Sequence, residues 1–379
     1  MLPYLGDAPG NASSLHAEGR HARAALDDAR ATVARLLGAA PRQVVFTGGG
    51  TEADNLAVMG AARARKAPGA HVVTAATEHS AVLRACEGLA LEGFSVSVLP
   101  PEPDGCLGAE SLEAALRPGT VLASVMLANH ELGTLQPIAE LARIARARGV
   151  TFHTDAVAAA GRVPLDVDEL GVDLLSLSAH KFYGPQGVGV LYVRPGTLLA
   201  PLALGGGQEN GLRPGTENVA GAVGLAAAFE LAVAERRFES ARLAALRDRF
   251  EATVLARVAD CRVNARHAPR LPNVSSIAFC RVSATALLIA LDLAGGAVSA
   301  GSACASGADE PSHVLAALDA PAWVKYGTLR FSFGRMTSEQ DVERLARMVE
   351  DVVAAARVAG DDLGTFHPGS GAGHSEVHS

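Results

Sequence analysis

The chain has 379 residues, of which 49% are apolar and 19% charged, and carries a formal net charge of −7. This size and apolar content predict a large domain plus a smaller one rather than a disordered chain, and the acidic balance argues against nucleic acid as the main partner. Glu230 and Asp292 interrupt the longest apolar stretches and no basic-then-apolar leader opens the chain, so neither a membrane span nor a signal peptide is expected and the expected location is cytoplasmic.

From about residue 20 to residue 195, helical patterns alternate with short β-rich runs at 43–47, 70–74, 95–99, 121–127, 150–153, 173–177 and 188–193. That alternation predicts an α/β fold: a mainly parallel seven-stranded sheet with helices on both faces and a ligand at the carboxyl ends of its strands. From Glu217 a long helical pattern runs to about Ala259, with an interruption expected around Arg236. Strand-like runs at 273–279 and 329–333 and helical patterns at 284–293 and 338–356 follow. The expected organisation is a large domain over 1–236, a smaller α+β domain over 237–360, and a disordered tail over 361–379, where Gly, Ser and His replace apolar residues.

Five cysteines (Cys86, Cys106, Cys261, Cys280 and Cys304) show no Cys-x-x-Cys pair and no zinc-like spacing, which favours free thiols and no metal site. Cys304 differs from the rest because it sits in Ser299-Ala300-Gly301-Ser302-Ala303-Cys304-Ala305-Ser306-Gly307. A run of such small residues buries little surface and is expected to be mobile.

The chemistry-bearing residues cluster where the strand patterns end. The run 43–47 leads into Gly48-Gly49-Gly50-Thr51-Glu52 and then a helical pattern, an arrangement that suits a phosphate. No Gly-Lys-Ser/Thr follows, which excludes a Walker loop; Gly48-x-Gly50-x-x-Ala53, with Glu78 after the next strand, loosely matches a dinucleotide fingerprint. Thr77-Glu78-His79, Asn129-His130-Glu131, Asp155, and His180-Lys181 close four further strand patterns. In a parallel sheet Thr51, His79, Asn129, Asp155, His180 and Lys181 share one edge. A lysine at the mouth of a core strand either snorkels to water or serves as an amine that forms a Schiff base. His153-x-Asp155, taken alone, reads as a core pair. Together, a phosphate nest, a carboxylate, an imidazole and a lysine meet the needs of pyridoxal phosphate, whereas a nicotinamide enzyme has no use for the lysine.

The chain resembles the NifS/IscS-type cysteine desulfurases, which are class V aminotransferase-like, fold-type I enzymes dependent on pyridoxal phosphate. The resemblance runs from Gly10-Asn11-Ala12-Ser13-Ser14-Leu15-His16 to about Arg335. It is carried by Phe46-Thr47-Gly48-Gly49-Gly50-Thr51-Glu52-Ala53-Asp54-Asn55, Thr77-Glu78-His79, Ser178-Ala179-His180-Lys181 and Ser302-Ala303-Cys304. It implies Lys181 as the Schiff-base lysine, Asp155 as the partner of the ring nitrogen, and His79 as the ring-stacking acid/base. It further implies Gly50, Thr51, Ser178 and His180 as phosphate contacts, with Thr216 reaching the cofactor of a second subunit in a homodimer. Asn129 and Arg330 are implied to hold the carboxylate of L-cysteine, an arginine being suited to a bidentate grip. Cys304 is implied as the nucleophile that takes the sulfur as a persulfide while alanine departs, delivering it to a sulfur-acceptor protein for Fe–S cluster assembly or tRNA thiolation. A selenocysteine lyase, another class V enzyme, or a weakly active cofactor-binding scaffold would use the same motifs.

Against that family this chain starts beyond the usual first strand segment. Ala158 stands where a glutamine usually meets the cofactor's phenolic oxygen, and His130 replaces a usual asparagine. Losing the glutamine donor is expected to slow catalysis.

Overall fold

The computed structural model describes residues 1–6, 9–301 and 311–362. The chain divides into two compact units. The first comprises Met1–Pro101, Cys106–Asn129 and Leu135–Ser240; the second comprises Glu102–Gly105, His130–Thr134 and the chain from Ala241 onward.

In the first unit the strands are β1 (Val44–Thr47), β2 (His71–Ala75), β3 (Ser95–Leu99), β4 (Thr120–Ser124), β5 (Thr151–Asp155), β6 (Leu174–Ser178) and β7 (Gly189–Val193). They form one sheet in the order β1-β7-β6-β5-β4-β2-β3. Only β7 runs against its neighbours, pairing antiparallel with both β6 and β1. The other six strands therefore point the same way, and their carboxyl ends lie along one edge. Every residue of β1, β2, β5 and β6 is buried, as expected for strands covered on both faces. β3, at the sheet's edge, has no fully buried residue.

Helix Gly50–Ala64 lies on this sheet. Its small face (Ala53, Ala57 and Ala61) lets the backbone approach the strands, and Leu56 packs with Val45, Leu122, Leu174 and Leu191. Helix Val219–Arg257 is continuous over 39 residues, so the interruption expected near Arg236 does not occur. Arg236 and Arg237 are tolerated there because straight-chain cations are good helix formers and reach solvent from its surface.

In the second unit β8 (Cys261–Val263), β9 (Val274–Phe279) and β10 (Thr328–Ser332) form an antiparallel sheet ordered β10-β9-β8. Three-residue β8 is too short to give a period-two signal, which explains its absence from the sequence reading. Helices Ala284–Leu293, His313–Ala317, Ala322–Tyr326 and Glu339–Asp362 also belong to this unit. Its core includes Phe250, whose ring centroid lies 4.8 Å from that of Phe331 and 5.5 Å from that of Phe333, separations typical of favourable aromatic pairs. No described helix is long and apolar enough to cross a membrane.

Candidate active site

The turn after β1 is shaped by its own hydrogen bonds. The Thr47 hydroxyl donates to the Gly49 carbonyl at 3.0 Å, and the Gly48 N–H donates to Glu52 Oε2 at 2.8 Å. The Gly48 amide is thereby engaged, so an anion here would be served by the helix start at Gly50 and Thr51. Gly49 has φ +152°, a conformation that side-chain-bearing residues rarely adopt. A Cβ on Gly50 would stand 2.8 Å from Val157 Cγ2 and 3.2 Å from Ser178 Cβ. Glycine there brings the helix start against both of those segments, and Thr51 beside it is exposed.

At the end of β2, His79 forms the N-cap of helix Ser80–Leu91, its Nδ1 accepting the Ala81 N–H at 3.1 Å. Glu78 turns the other way. It is fully buried, its Oε1 accepts the Met126 N–H at 2.6 Å, and burial pushes its acid well above the usual carboxylate range. A carboxyl group sealed in this way does not reach a ribose, so the dinucleotide reading of the glycine turn fails. Beyond β4, buried Asn129 donates to the Thr77 carbonyl at 2.9 Å, and the Leu127 N–H donates to the Asp155 carbonyl at 2.9 Å.

β5 ends in Asp155, which is 5% exposed and whose Oδ1 accepts the Val157 N–H at 2.8 Å. Burial lifts its acid to about 6, while the N–H of Val157 and the charge of Lys181 pull the other way. β6 ends in buried Ser178, whose hydroxyl lies 2.9 Å from His180 Nδ1. The 3₁₀ turn Ala179–Phe182 follows, presents Lys181 exposed, and closes on Tyr183 in a left-handed conformation at φ +67°. The tight turn keeps the lysine at the strand mouth, within the electrostatic reach of Asp155.

One edge of the first unit thus brings together Gly50, Thr51, His79, Asn129, Asp155, Ser178, His180 and Lys181. Thr216 is exposed and makes no hydrogen bond to that edge among the described residues; half-buried Ala158 presents only a methyl group. Arg330 belongs to β10 in the second unit, where its side chain donates to the His130 carbonyl at 2.9 Å and its backbone pairs with Ser299. Cys304 lies outside the described residues. Cys86, Cys106, Cys261 and Cys280 are free thiols, and burial drives the Cys86 thiol up to about 12, so it is not a nucleophile at neutral pH. No cluster that would hold a metal ion occurs among the described residues.

Sequence reasoning passed over Asp54 and Ser176. Asp54 is 1% exposed inside the sheet–helix layer, and Ser176 is fully buried beside it. The available signal was a carboxylate four residues beyond Gly50, on a helix face otherwise made of alanine and leucine.

A family model for class-V aminotransferases matches residues 1–345. The chain belongs to the class-V aminotransferase family, among its NifS/IscS cysteine desulfurases. It is 45% identical to a protein named cysteine desulfurase IscS from Dictyoglomus turgidum, over 94% of this chain and 91% of that protein. It is 44% identical to the cysteine desulfurase NifS of Azotobacter vinelandii, over 94% of this chain and 89% of that protein. The solved NifS-like protein from Rickettsia africae superposes with a TM-score of 0.84 at 28% identity, covering 93% of this chain and 94% of that one. The fold is that of the fold-type I enzymes dependent on pyridoxal phosphate.

The family's cofactor is pyridoxal phosphate, and the residues of the class-V edge fit it. Asp155 is a buried carboxylate whose acid burial has lifted, a setting that a protonated ring nitrogen relieves. Lys181 supplies an exposed primary amine, and the helix start at Gly50 with the Ser178 hydroxyl supplies donors for a phosphate.

Proposed function

We propose that this chain is a cytoplasmic, homodimeric cysteine desulfurase that converts L-cysteine to L-alanine and transfers the sulfur to an acceptor protein. The observation that carries the proposal is the pairing of buried Asp155 with exposed Lys181 at one strand edge, electrostatically coupled and flanked by the glycine turn. The relatives' printed names, cysteine desulfurase IscS and NifS, support the substrate.

In this reading Lys181 would hold the cofactor by its aldehyde group and would move a proton at the substrate Cα. Asp155, as an anion, would pair with the ring nitrogen, and His79 would serve as the acid/base beside the ring. Gly50, Thr51, Ser178 and His180 hold the phosphate, with Thr216 serving the site of the second subunit. Asn129 and Arg330 orient the substrate carboxylate. When bound, pyridoxal phosphate supplies an electron sink that weakens bonds at the substrate Cα and Cβ.

The Cys304 thiolate attacks the substrate sulfur. A bond forms between the two sulfurs, the bond from sulfur to the substrate Cβ breaks, and the electron pair left on carbon is taken up by a proton. Alanine departs and Cys304 retains the persulfide. A thiol titrates at roughly 8.5 in water, so neighbouring positive charge is needed to raise its thiolate fraction.

Purified protein supplied with L-cysteine and a thiol reductant is expected to release alanine and sulfide in equal amounts. Absence of both in the wild type sinks the reading. Cys304→Ala is expected to abolish sulfide release while retaining bound cofactor, and Lys181→Ala to lose the cofactor's covalently bound visible absorbance.

A further inference from the structure

Behind Asp155 lies a second carboxyl group that the proposed reaction does not use. Asp54, on the second turn of helix Gly50–Ala64, meets a chain of polar side chains from the sheet beneath it. His153 Nδ1 lies 2.8 Å from the Ser124 hydroxyl, and its Nε2 lies 2.9 Å from the Ser176 hydroxyl and 3.7 Å from Asp54 Oδ1. The Ser176 hydroxyl also lies close enough to act on Asp54, whose Oδ1 is sealed from solvent and makes no hydrogen bond. His153 and Asp155 share one face of β5 by strand alternation, and Asp155 stands in register with Ser176 on β6. The two carboxyl groups therefore belong to one buried polar array.

Their surroundings differ in charge. Asp155 receives the Val157 N–H and feels the positive charge of Lys181. Among the described residues Asp54 has no lysine or arginine within ion-pair distance, and its basic neighbour His153 is kept neutral by burial. Glu78, the third buried acid acting on both, accepts the Met126 N–H. Two bare anions in one desolvated space repel strongly, so a proton settles on the one without a cation or amide donor.

We propose that Asp54 is a positioning residue that keeps this buried proton, so that Asp155 is the anion offered to the ring nitrogen of the cofactor. The role of the ring rests on the cofactor reading above; the seat of the proton does not. Asp54 acts through Asp155 and touches no reacting atom. Ser124, His153 and Ser176 complete the array, and none of the three brings a charge to it.

Infrared spectroscopy of the cofactor-free protein reads protonated carboxyl groups directly. At pH 7, Glu78→Gln is expected to retain a protonated-carboxyl band that the further change Asp54→Asn removes. Asp155→Asn is expected to move the midpoint of that band to lower pH, because it deletes the neighbouring negative charge. Loss of the band already in Glu78→Gln, or a midpoint that Asp155→Asn leaves in place, overturns the proposal, and neither result needs Asp54 to be altered.

Binding of pyridoxal phosphate against pH gives a second readout. Asparagine is the neutral isostere of a protonated aspartate, so Asp54→Asn is expected to share the wild-type acid midpoint and, with the array intact, to bind within about threefold of wild type. An acid midpoint at least a unit lower in Asp54→Asn would mean that the native group is ionised, and the proposal falls. A wild type that binds no pyridoxal phosphate refutes the cofactor reading alone; the infrared result still decides where the proton sits.

Discussion

The imidazole Nδ1 of His79 accepts the main-chain N–H of Ala81 at 3.1 Å. This bond caps helix Ser80–Leu91 and leaves a neutral ring with its proton on Nε2. One side chain thus holds a helix end and is fixed in orientation at the mouth of the site. Replacing it separates the two duties. His79→Asn keeps a capping acceptor and is expected to stay within about 0.5 kcal/mol of wild type, whereas His79→Ala loses about 1 kcal/mol. Both are expected to lose most desulfurase activity. Thermal unfolding and alanine release measured on the same two variants check this.

Asp155 and His153 are expected to pull the pH dependence of the cofactor-free protein in opposite directions. For Asp155 burial lifts the folded acid to about 6, against an ordinary value of 3.8. Its contribution is full below the unfolded value and is lost as pH rises to about 6, on the order of 3 kcal/mol. For His153 the folded value is about 3 against 6.5, so its contribution is present above 6.5 and is lost as pH falls toward 3. Between pH 4 and 6, Asp155→Asn is therefore expected to make stability rise more steeply with pH, and His153→Gln to flatten it. Urea unfolding across that range reads both slopes, and equal slopes in the two variants would refute the assignment.

Glu209 is expected to be a stability hot spot remote from the chemistry. Its carboxylate makes two hydrogen bonds with Arg30, at 2.6 and 2.7 Å, and accepts the Phe46 N–H at 2.8 Å, tying the segment before Thr216 to β1. Glu209→Ala strands a largely buried guanidinium and is expected to cost about 3–5 kcal/mol. Replacing both partners with apolar residues of similar size is expected to recover much of that loss. Denaturant unfolding of the single and double variants decides between these outcomes.

Gly301 and Ser312 flank the segment that contains Cys304. Gly301 has φ +75°, and a Cβ placed there would stand 2.8 Å from Ser312 Cβ, while the Ser312 hydroxyl donates to Glu131 at 2.6 Å. Gly301→Ala is expected to strain both the backbone and this contact, at a cost of about 1–3 kcal/mol. Persulfide formation on Cys304 is expected to slow several-fold while cofactor absorbance stays at the wild-type level. Mass spectrometry of Cys304 after a brief exposure to L-cysteine reads this; an unchanged persulfide yield would remove any role for the contact between Gly301 and Ser312.

The sequence by itself determined the alternation of helices and strands, the alignment of Thr51, His79, Asn129, Asp155, His180 and Lys181 along one edge, and the exclusion of a Walker loop. These are consequences of period and of turn chemistry, which are local. Tertiary structure alone decided that β7 runs against its neighbours, because strand direction depends on pairing with β1 and β6. It also decided that the helix through Arg236 is unbroken, since surface exposure lets a charged stretch continue.

Above all, only the tertiary structure brought Asp54 to His153 and Ser176, and Glu78 to the Met126 amide. Those acids look like ordinary helix and loop carboxylates in sequence. Burial changes their chemistry, because desolvation disfavours the charged form and lets a carboxyl group keep its proton. The chain order of Asp54 and Asp155 does not reveal that they share one charge between them; packing of the helix on the sheet does.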